Sequence, residues 1–461
     1  MSLPSATSAS IGMDRPVLRE GLVTLLMGMS IVLVIMNTMM FNLALPDVSV
    51  AFDLSATSTS WIVTGYSIVF AISSITYSRL SDFVPIRKLF MIGVLSLSLA
   101  AIAGFFSDSY LYLLIVRIIQ ASGAGSIPAL SLVLISRYVP MERRGKAMAT
   151  VMSAASLGLG LGPVVGGAIV EYLGWHYLFV VTAVTILLVP LFAILIPTEK
   201  PAKGSFDALG ALLVGIGTTG LLLFLTSQSW IALVSGVVAL ILFVIRIRAA
   251  AEPFVLPSLF RNRSYLTLGA VGIASYLCSF ATLFLLPQIL VHQYGLSAIG
   301  AGLVIFPGSM LAMLVSRRVG RTIDLRGNSS IIRYVPLLVL ASVVLFALFA
   351  STGYIAILFI YMMLSVGFTF LTSSISNEMS RILDKSQIGS GLGLFQLLQF
   401  FSGAFGVAIT ASALVWQKQL TFSHAYSNIY WGMAVVVVLS IACALHYLRS
   451  DSRAQAEVRV N

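Results

Sequence analysis

The chain has 461 residues, of which 59% are hydrophobic and 9% charged, and its mean hydropathy is +1.02. Ordinary soluble domains carry about 25% charged residues, so a water-soluble globular protein is excluded and a polytopic membrane protein is indicated. The net charge of +11 raises nucleic acid as a partner, but the placement of the basic residues argues against it.

The opening stretch MSLPSATSASIGMDRPVLREG (1–21) lacks the small-residue cleavage site of a signal peptide and runs straight into an apolar segment. It reads as a short cytoplasmic tail. Apolar segments follow near 22–45, 58–80, 89–107, 111–136, 148–170, 178–197, 208–227, 231–247, 265–290, 298–316, 334–351, 354–376, 390–415 and 429–447. Each approaches or exceeds the ~20 residues a helix needs to cross a bilayer. Fourteen spans put both termini on one face. With that face cytoplasmic, every Lys and Arg except Lys418 and Arg117 falls on the inner side, as the positive-inside bias requires. The basic balance is therefore topology rather than a nucleic-acid footprint. Trp61, Trp175, Trp230, Trp416 and Trp431 fall near outer span ends, where indoles favour the interface. Cys278 and Cys443 sit in apolar runs, so neither a disulfide framework nor a metal site is expected, and no cofactor is implied.

In chain order, the first span carries VIMNTMMFNLALPDV (34–48), with Asn37 and Asn42 and no charge before Asp47. Amides at such depth either line a pathway or bind helices together. After the second span comes SRLSDFVPIRK (78–88), which sets Asp82 among Arg79, Arg87 and Lys88. A carboxylate before a helix start is favoured by the helix dipole and can be latched by nearby cations. The turn after the tenth span, GRTIDLRG (320–327), repeats the pattern with Asp324 and Arg326. Two six-span halves put these loops in equivalent places. The expected organisation is a tail (1–21), an N-terminal half (22–197), an inserted span pair with links (198–263), a C-terminal half (264–448) and a second cytoplasmic tail (449–461).

Arg117 lies seven residues into the fourth span with no acid nearby in sequence, and Gln120 one turn on shares its face. A charge at that depth marks a functional site by default, although it stands only ~9 Å along the helix from the outer end, within snorkelling reach. In the fifth span, SLGLGLGPVVGG (156–167) places Gly158, Gly160, Gly162, Gly166 and Gly167 where a neighbouring helix can approach closely, and Pro163 is expected to kink the helix. Late in the chain, Glu378 lies near the inner mouth. Gln396, Gln399 and Gly403 share one helical face. Tyr66, Phe70, Phe395 and Phe405 are candidates for an aromatic wall, and His446 is an interfacial residue at the inner end of the last span. Neither a nucleotide-binding loop nor a nucleophile elbow appears, so neither ATP-driven transport nor an enzyme is indicated.

In this order ALPD (44–47), YSRLSD (77–82), LLIVRIIQ (113–120), RGKA (144–147), GPVVGG (162–167), EPFV (252–255), IFPG (305–308) and GSGLGLFQLL (389–398) resemble the fourteen-span drug:proton antiporters of the major facilitator superfamily. Within them the chain looks most like the Gram-positive tetracycline-efflux proteins. The resemblance implies an all-α membrane protein of two six-helix halves plus two inserted helices. It implies a monomer in the bacterial inner membrane that exports drug-like small molecules by alternating access with protons. It casts Asp82 and its repeat as a gate lock, 156–167 as the antiporter motif, and Arg117 in proton transfer or substrate handling. It also exposes a departure. The acids those pumps carry are replaced here by Asn37, Leu159 and Gly403, leaving Asp47 and Glu378 as candidate proton carriers. Asn37 is expected in the central cavity, facing Arg117. An arginine without an acid partner favours an anionic or zwitterionic substrate over a cation. The alternative is an exporter or facilitator of an endogenous metabolite without carboxylate-based coupling. A sensor or scaffold on the same fold is disfavoured by the short loops.

Overall fold

The computed structural model describes residues 20–54, 56–199, 205–250, 252–384, 387–417 and 419–460. Every regular element among them is helical. The helices are α1 (Glu20–Ala51), α2 (Ala56–Leu80), α3 (Ile86–Phe105), α4 (Tyr110–Ala124), α5 (Ser126–Tyr138), α6 (Met141–Tyr172), α7 (Tyr177–Ala183) and α8 (Leu188–Leu195) in the first half. The second part comprises α9 (Ala208–Ser227), α10 (Trp230–Ala249), α11 (Pro257–Arg261), α12 (Arg263–Gln288), α13 (Ala298–Arg326), α14 (Asn328–Phe349), α15 (Tyr354–Ile382), α16 (Ile388–Trp416) and α17 (Phe422–Val460). Helices dominate because a bilayer leaves no water for unpaired backbone groups. Thirteen described segments are long and apolar enough to cross, and α13, bent by 43° between Val315 and Arg318, makes a fourteenth.

Small residues decide which helices meet. In α6, a methyl group on Gly158 would stand 2.9 Å from the Ile35 Cβ of α1. One on Gly162 would stand 2.4 Å from the Met39 Cβ, and one on Gly166 2.8 Å from the Met40 Cα. The opposite face of α6 meets the second half, since a Cβ on Gly160 would lie 2.3 Å from the Ser309 Oγ of α13. α16 repeats the arrangement. Its Gly403 and Gly406 lie against Phe280 and Leu277 of α12, and its Gly393 against Ile75 and Ser78 of α2. Each half therefore contributes one glycine-rich helix that packs on its own first helix and on the other half. α6 is one unbroken helix through Pro163, and Gly167 lies half-buried beside the packed glycines.

The inserted α9–α10 hairpin closes through Gly217, Gly220 and Gly236 and packs on α2 and α16. Asp207 is a structural cap. It accepts from the Gly210 amide (3.0 Å), Arg246 Nε (3.2 Å) and the Phe254 amide (3.3 Å), joining the two links. Two expected loops are corrected. α6 begins at Met141, so RGKA (144–147) is helical, and α13 runs on to Arg326, so Asp324 lies in a last helical turn. The reason is packing. Val319 and Ile323, one turn apart, are buried with Ala149, which holds the helical repeat beyond the apolar stretch that sequence hydropathy detects.

Candidate functional site

α4 turns Arg117 and Gln120 to one face, and both are wholly buried. Arg117 Nη1 donates to Gln120 Oε1 (2.7 Å) and to Asn37 Oδ1 on α1 (3.1 Å). The Asn37 amide in turn donates to Thr182 Oγ1 of α7 (2.5 Å). The guanidinium is sandwiched between the rings of Phe41 and Tyr66, at 3.9 and 4.0 Å from their centroids. Such cation–π contacts partly replace the water the charge has lost. Nε and Nη2 have no hydrogen-bond partner, nor has Gln120 Nε2. Arg117 thus faces the interior between helices and does not snorkel to the outer surface.

Across the bundle, α16 buries Gln396 and Gln399. Both amide atoms of Gln399, Gln396 Oε1 and the Ser275 hydroxyl of α12 are unpartnered. Gln399 stands beside Gly272, where an added Cβ would lie 3.7 Å from its Nε2. Between these polar groups runs an aromatic cluster. Phe70 meets Phe400 edge-on at 4.7 Å, and Tyr276 touches Phe400, Phe368 and Phe280 at 6.0, 5.1 and 5.7 Å. The expected wall is thereby redrawn. Tyr66 covers Arg117, Phe395 fills the notch at Gly272, Phe405 is half-buried, and Phe400 is the partner of Phe70.

Hydrogen bonds among the described residues join the halves, most of them at the end of the bundle where Asp82 and Asp324 lie. Asp82 accepts from Arg79 Nη1 (2.8 Å) and Arg137 Nη2 (3.0 Å) of its own half and from Ser390 Oγ (3.2 Å) of the other. Ser78 Oγ donates to the Gly389 carbonyl at 2.8 Å. In the mirror position the Gly145 amide donates to Asp324 Oδ1 (3.0 Å), and Arg144 Nη1 donates to Ser380 Oγ (3.2 Å). Deeper in the membrane Ser156 and Thr369 share a hydrogen bond of 3.0 Å. Each half's acid therefore docks beside a glycine near the start of the other half's glycine-rich helix. Burial pushes the Asp82 carboxyl above its usual range, against the pull of Arg79 and Arg137. These contacts tie the two halves together at one end of the bundle.

The remaining expected residues are placed elsewhere. Arg87 donates to Thr198 Oγ1 (2.9 Å), and Lys88 and Arg326 are exposed, so the cations on Asp82 are Arg79 and Arg137. Glu378 is buried but clamped. It accepts from Arg381 (2.5 Å), Asn328 Nδ2 (2.6 Å) and, in a short contact, the Tyr447 hydroxyl. Asp47 is exposed near the C-terminal end of α1 and His446 is exposed, while the side chain of Asn42 lies outside the described residues. The sequence reading missed Phe41, Thr182, Arg137, Arg144 and Ser390. A signal for the last three was present, because Ser136-Arg137 precedes Gly145 at the same spacing as Ser380-Arg381 precedes Gly389.

Comparison with known proteins bears on the family and the fold. A riboflavin transporter, RibZ, of Clostridioides difficile is 26% identical over 430 residues, covering 89% of this chain and 94% of its own. A lincomycin resistance protein, LmrB, of Listeria monocytogenes is 26% identical, covering 81% and 82%. Among solved structures, the human organic anion transporter MFSD10 superposes with a TM-score of 0.69 at 16% identity, over 92% of this chain and 99% of its own. The proton:xylose symporter XylE matches equally, at 0.69 and 14%, over 93% and 96%. The family model of the Major Facilitator Superfamily matches residues 27–407, and with it the chain belongs to that superfamily of membrane transporters.

Proposed function

We propose that this chain is a secondary exporter of amphipathic small molecules, working by alternating access in a bacterial cytoplasmic membrane with both termini inside. The observation that carries the reading is the paired latch, Asp82 beside Gly389 and Asp324 beside Gly145, closing one end of a bundle in which Arg117 is wholly buried. Opening the latches and closing the outer ends would move a solute bound among Arg117, Gln399 and the Phe70–Phe400 cluster from one side to the other. Rocking of one half against the other around a fixed site is how repeated-half transporters work. The five-glycine stretch of α6 supports the drug-exporter class, as does the similarity to a lincomycin resistance protein. Tetracycline-like or mixed drugs are the first substrates to test.

The contacts of Arg117 favour transport without carboxylate-based proton coupling. The acids among the described residues lie in loops or near helix ends, and Glu378, the most buried of them in the second half, is held by three donors. A second reading, export or facilitated movement of an endogenous metabolite, is favoured by the similarity to a riboflavin transporter. Deleting the gene in its host and measuring retained tetracycline, lincomycin and riboflavin separates these readings. Raised retention of drugs supports the first and raised retention of riboflavin alone the second, while unchanged retention of all three counts against export.

A further inference from the structure

We infer that the transported species is an amphipathic organic monoanion, held through its acid group by Arg117 and driven outward by the membrane potential without a counter-moving proton. The inference rests on the export reading above and adds the substrate's charge and the driving force. Its first support is geometric. A guanidinium meets a carboxylate or sulfonate best along one edge, with two parallel N–H groups. In Arg117 the internal partners Asn37 and Gln120 both bind Nη1. The neighbouring edge, formed by Nε and Nη2, carries no partner although the residue is wholly buried. Phe41 and Tyr66 stack on the guanidinium, which leaves that edge as the place where its unmet donors point.

The second support is charge. The groups in contact with Arg117 are two amides, a phenyl ring and a phenol. None of them is a carboxylate, so no group in contact with the guanidinium balances its positive charge. A bound monoanion makes the site neutral. A neutral loaded site passes through the low-dielectric bundle more easily than a charged one, whereas a cation would double the charge there. The third support is the carrier's inventory. With no acid in the middle of a span, the central site has no carboxylate to ferry a proton inward. An anion needs none. Moving one elementary charge across 100 mV is worth about 2.3 kcal/mol, which for a monoanion leaving a negative interior is an outward concentration ratio of about 50. The Phe70, Phe400 and Tyr276 rings supply the surface for a flat apolar body.

The test uses the full chain in proteoliposomes with anthracene-9-sulfonate, a permanently charged flat anion, and anthracen-9-ylmethyl-trimethylammonium, its cationic counterpart. Valinomycin with a potassium gradient sets the potential, and a pH gradient is imposed separately at zero potential. The sulfonate is expected to accumulate about 50-fold when the interior is held 100 mV positive, to reverse with polarity, and to ignore the pH gradient. In Asn37→Asp, with a carboxylate placed against Nη1, potential-driven sulfonate uptake is expected to fall at least tenfold. Arg117→Lys, which keeps the charge but loses the fork, is expected to retain the response to polarity at a lower rate. This separates loss of the anion site from loss of folding, which is checked by monodispersity in detergent. Accumulation driven by the pH gradient and not by potential overturns the inference. Transport of the cation without the sulfonate also overturns it while leaving export intact. Movement of neither probe above protein-free vesicles overturns the inference, and the retention measurement then judges the export reading separately.

Discussion

Replacing Gly389 with alanine tests the cytoplasmic latch. An added methyl group there would stand 2.1 Å from Asp82 Oδ1 and 2.7 Å from the Ser78 carbonyl oxygen. The aspartate can rotate away only by giving up Arg79 and Arg137, and the carbonyl belongs to the backbone. Overpacking of this kind costs about 1–3 kcal/mol. The cost falls on the closed-cytoplasm state alone, because α2 and α16 belong to different halves and separate when that end opens. A bias of about 1–3 kcal/mol shifts the two-state population by about 5–150-fold toward the cytoplasm-open state. The assay is thiol labelling of Ser376→Cys, a wholly buried position on α15, in a background lacking Cys278 and Cys443. A membrane-impermeant maleimide is applied to inside-out vesicles. Gly389→Ala is expected to raise the labelling rate by that factor, and Gly432→Ala, where an added Cβ meets nothing within 4 Å, to leave it unchanged. An unaltered rate in Gly389→Ala, with normal folding, would refute the latch.

Other expectations follow from the same contacts. Gly145→Ala, whose Cβ would lie 2.3 Å from Ile323 Cγ2 and 2.6 Å from Asp324 Oδ1, should raise Ser376→Cys labelling in the same direction. Adding it to Gly389→Ala should raise labelling further, since the two latches are separate contacts. Glu378→Gln removes the negative charge and one of the two acceptor oxygens shared by Arg381, Tyr447 and Asn328. It should lower thermal stability in detergent by about 1.5–3 kcal/mol while sparing the polarity of transport; unchanged stability would show the clamp to be dispensable. Gly166→Ala, pressing on the Met40 Cα at 2.8 Å, should separate α1 from α6 and displace Asn37 from Arg117. The expected readout is a fall in transport of at least tenfold with the protein still monodisperse.

Much of this fold was legible because hydropathy responds to the bilayer directly. Thirteen of the fourteen expected spans correspond to segments that qualify by themselves, and the exception, α13, is the bent one. What hydropathy could not register were the polar extensions of α6 and α13, where burial of single residues such as Val319 and Ile323 sustains a helix among arginines. The candidate site was legible in its rare residues. Arg117 and Asn37 are conspicuous in apolar runs, and the structure brings them into contact. The aromatic partners were not legible, since Phe41 and Phe400 differ from the other twenty-five phenylalanines of the chain only in what the tertiary arrangement sets beside them. The cations on Asp82 were misplaced for the same reason. Arg87 is close in sequence but turns to Thr198, whereas Arg137 arrives from the far end of α5.

The most direct test of the account is the distance between spin labels at Lys88 and Arg326, exposed positions close in sequence to the two latch acids of the two halves, measured by pulsed paramagnetic resonance during transport. Alternating access about the Arg117 site predicts two distance populations whose ratio moves toward the longer one in Gly389→Ala. A single distance, the same in resting and transporting protein and in the variant, would contradict it.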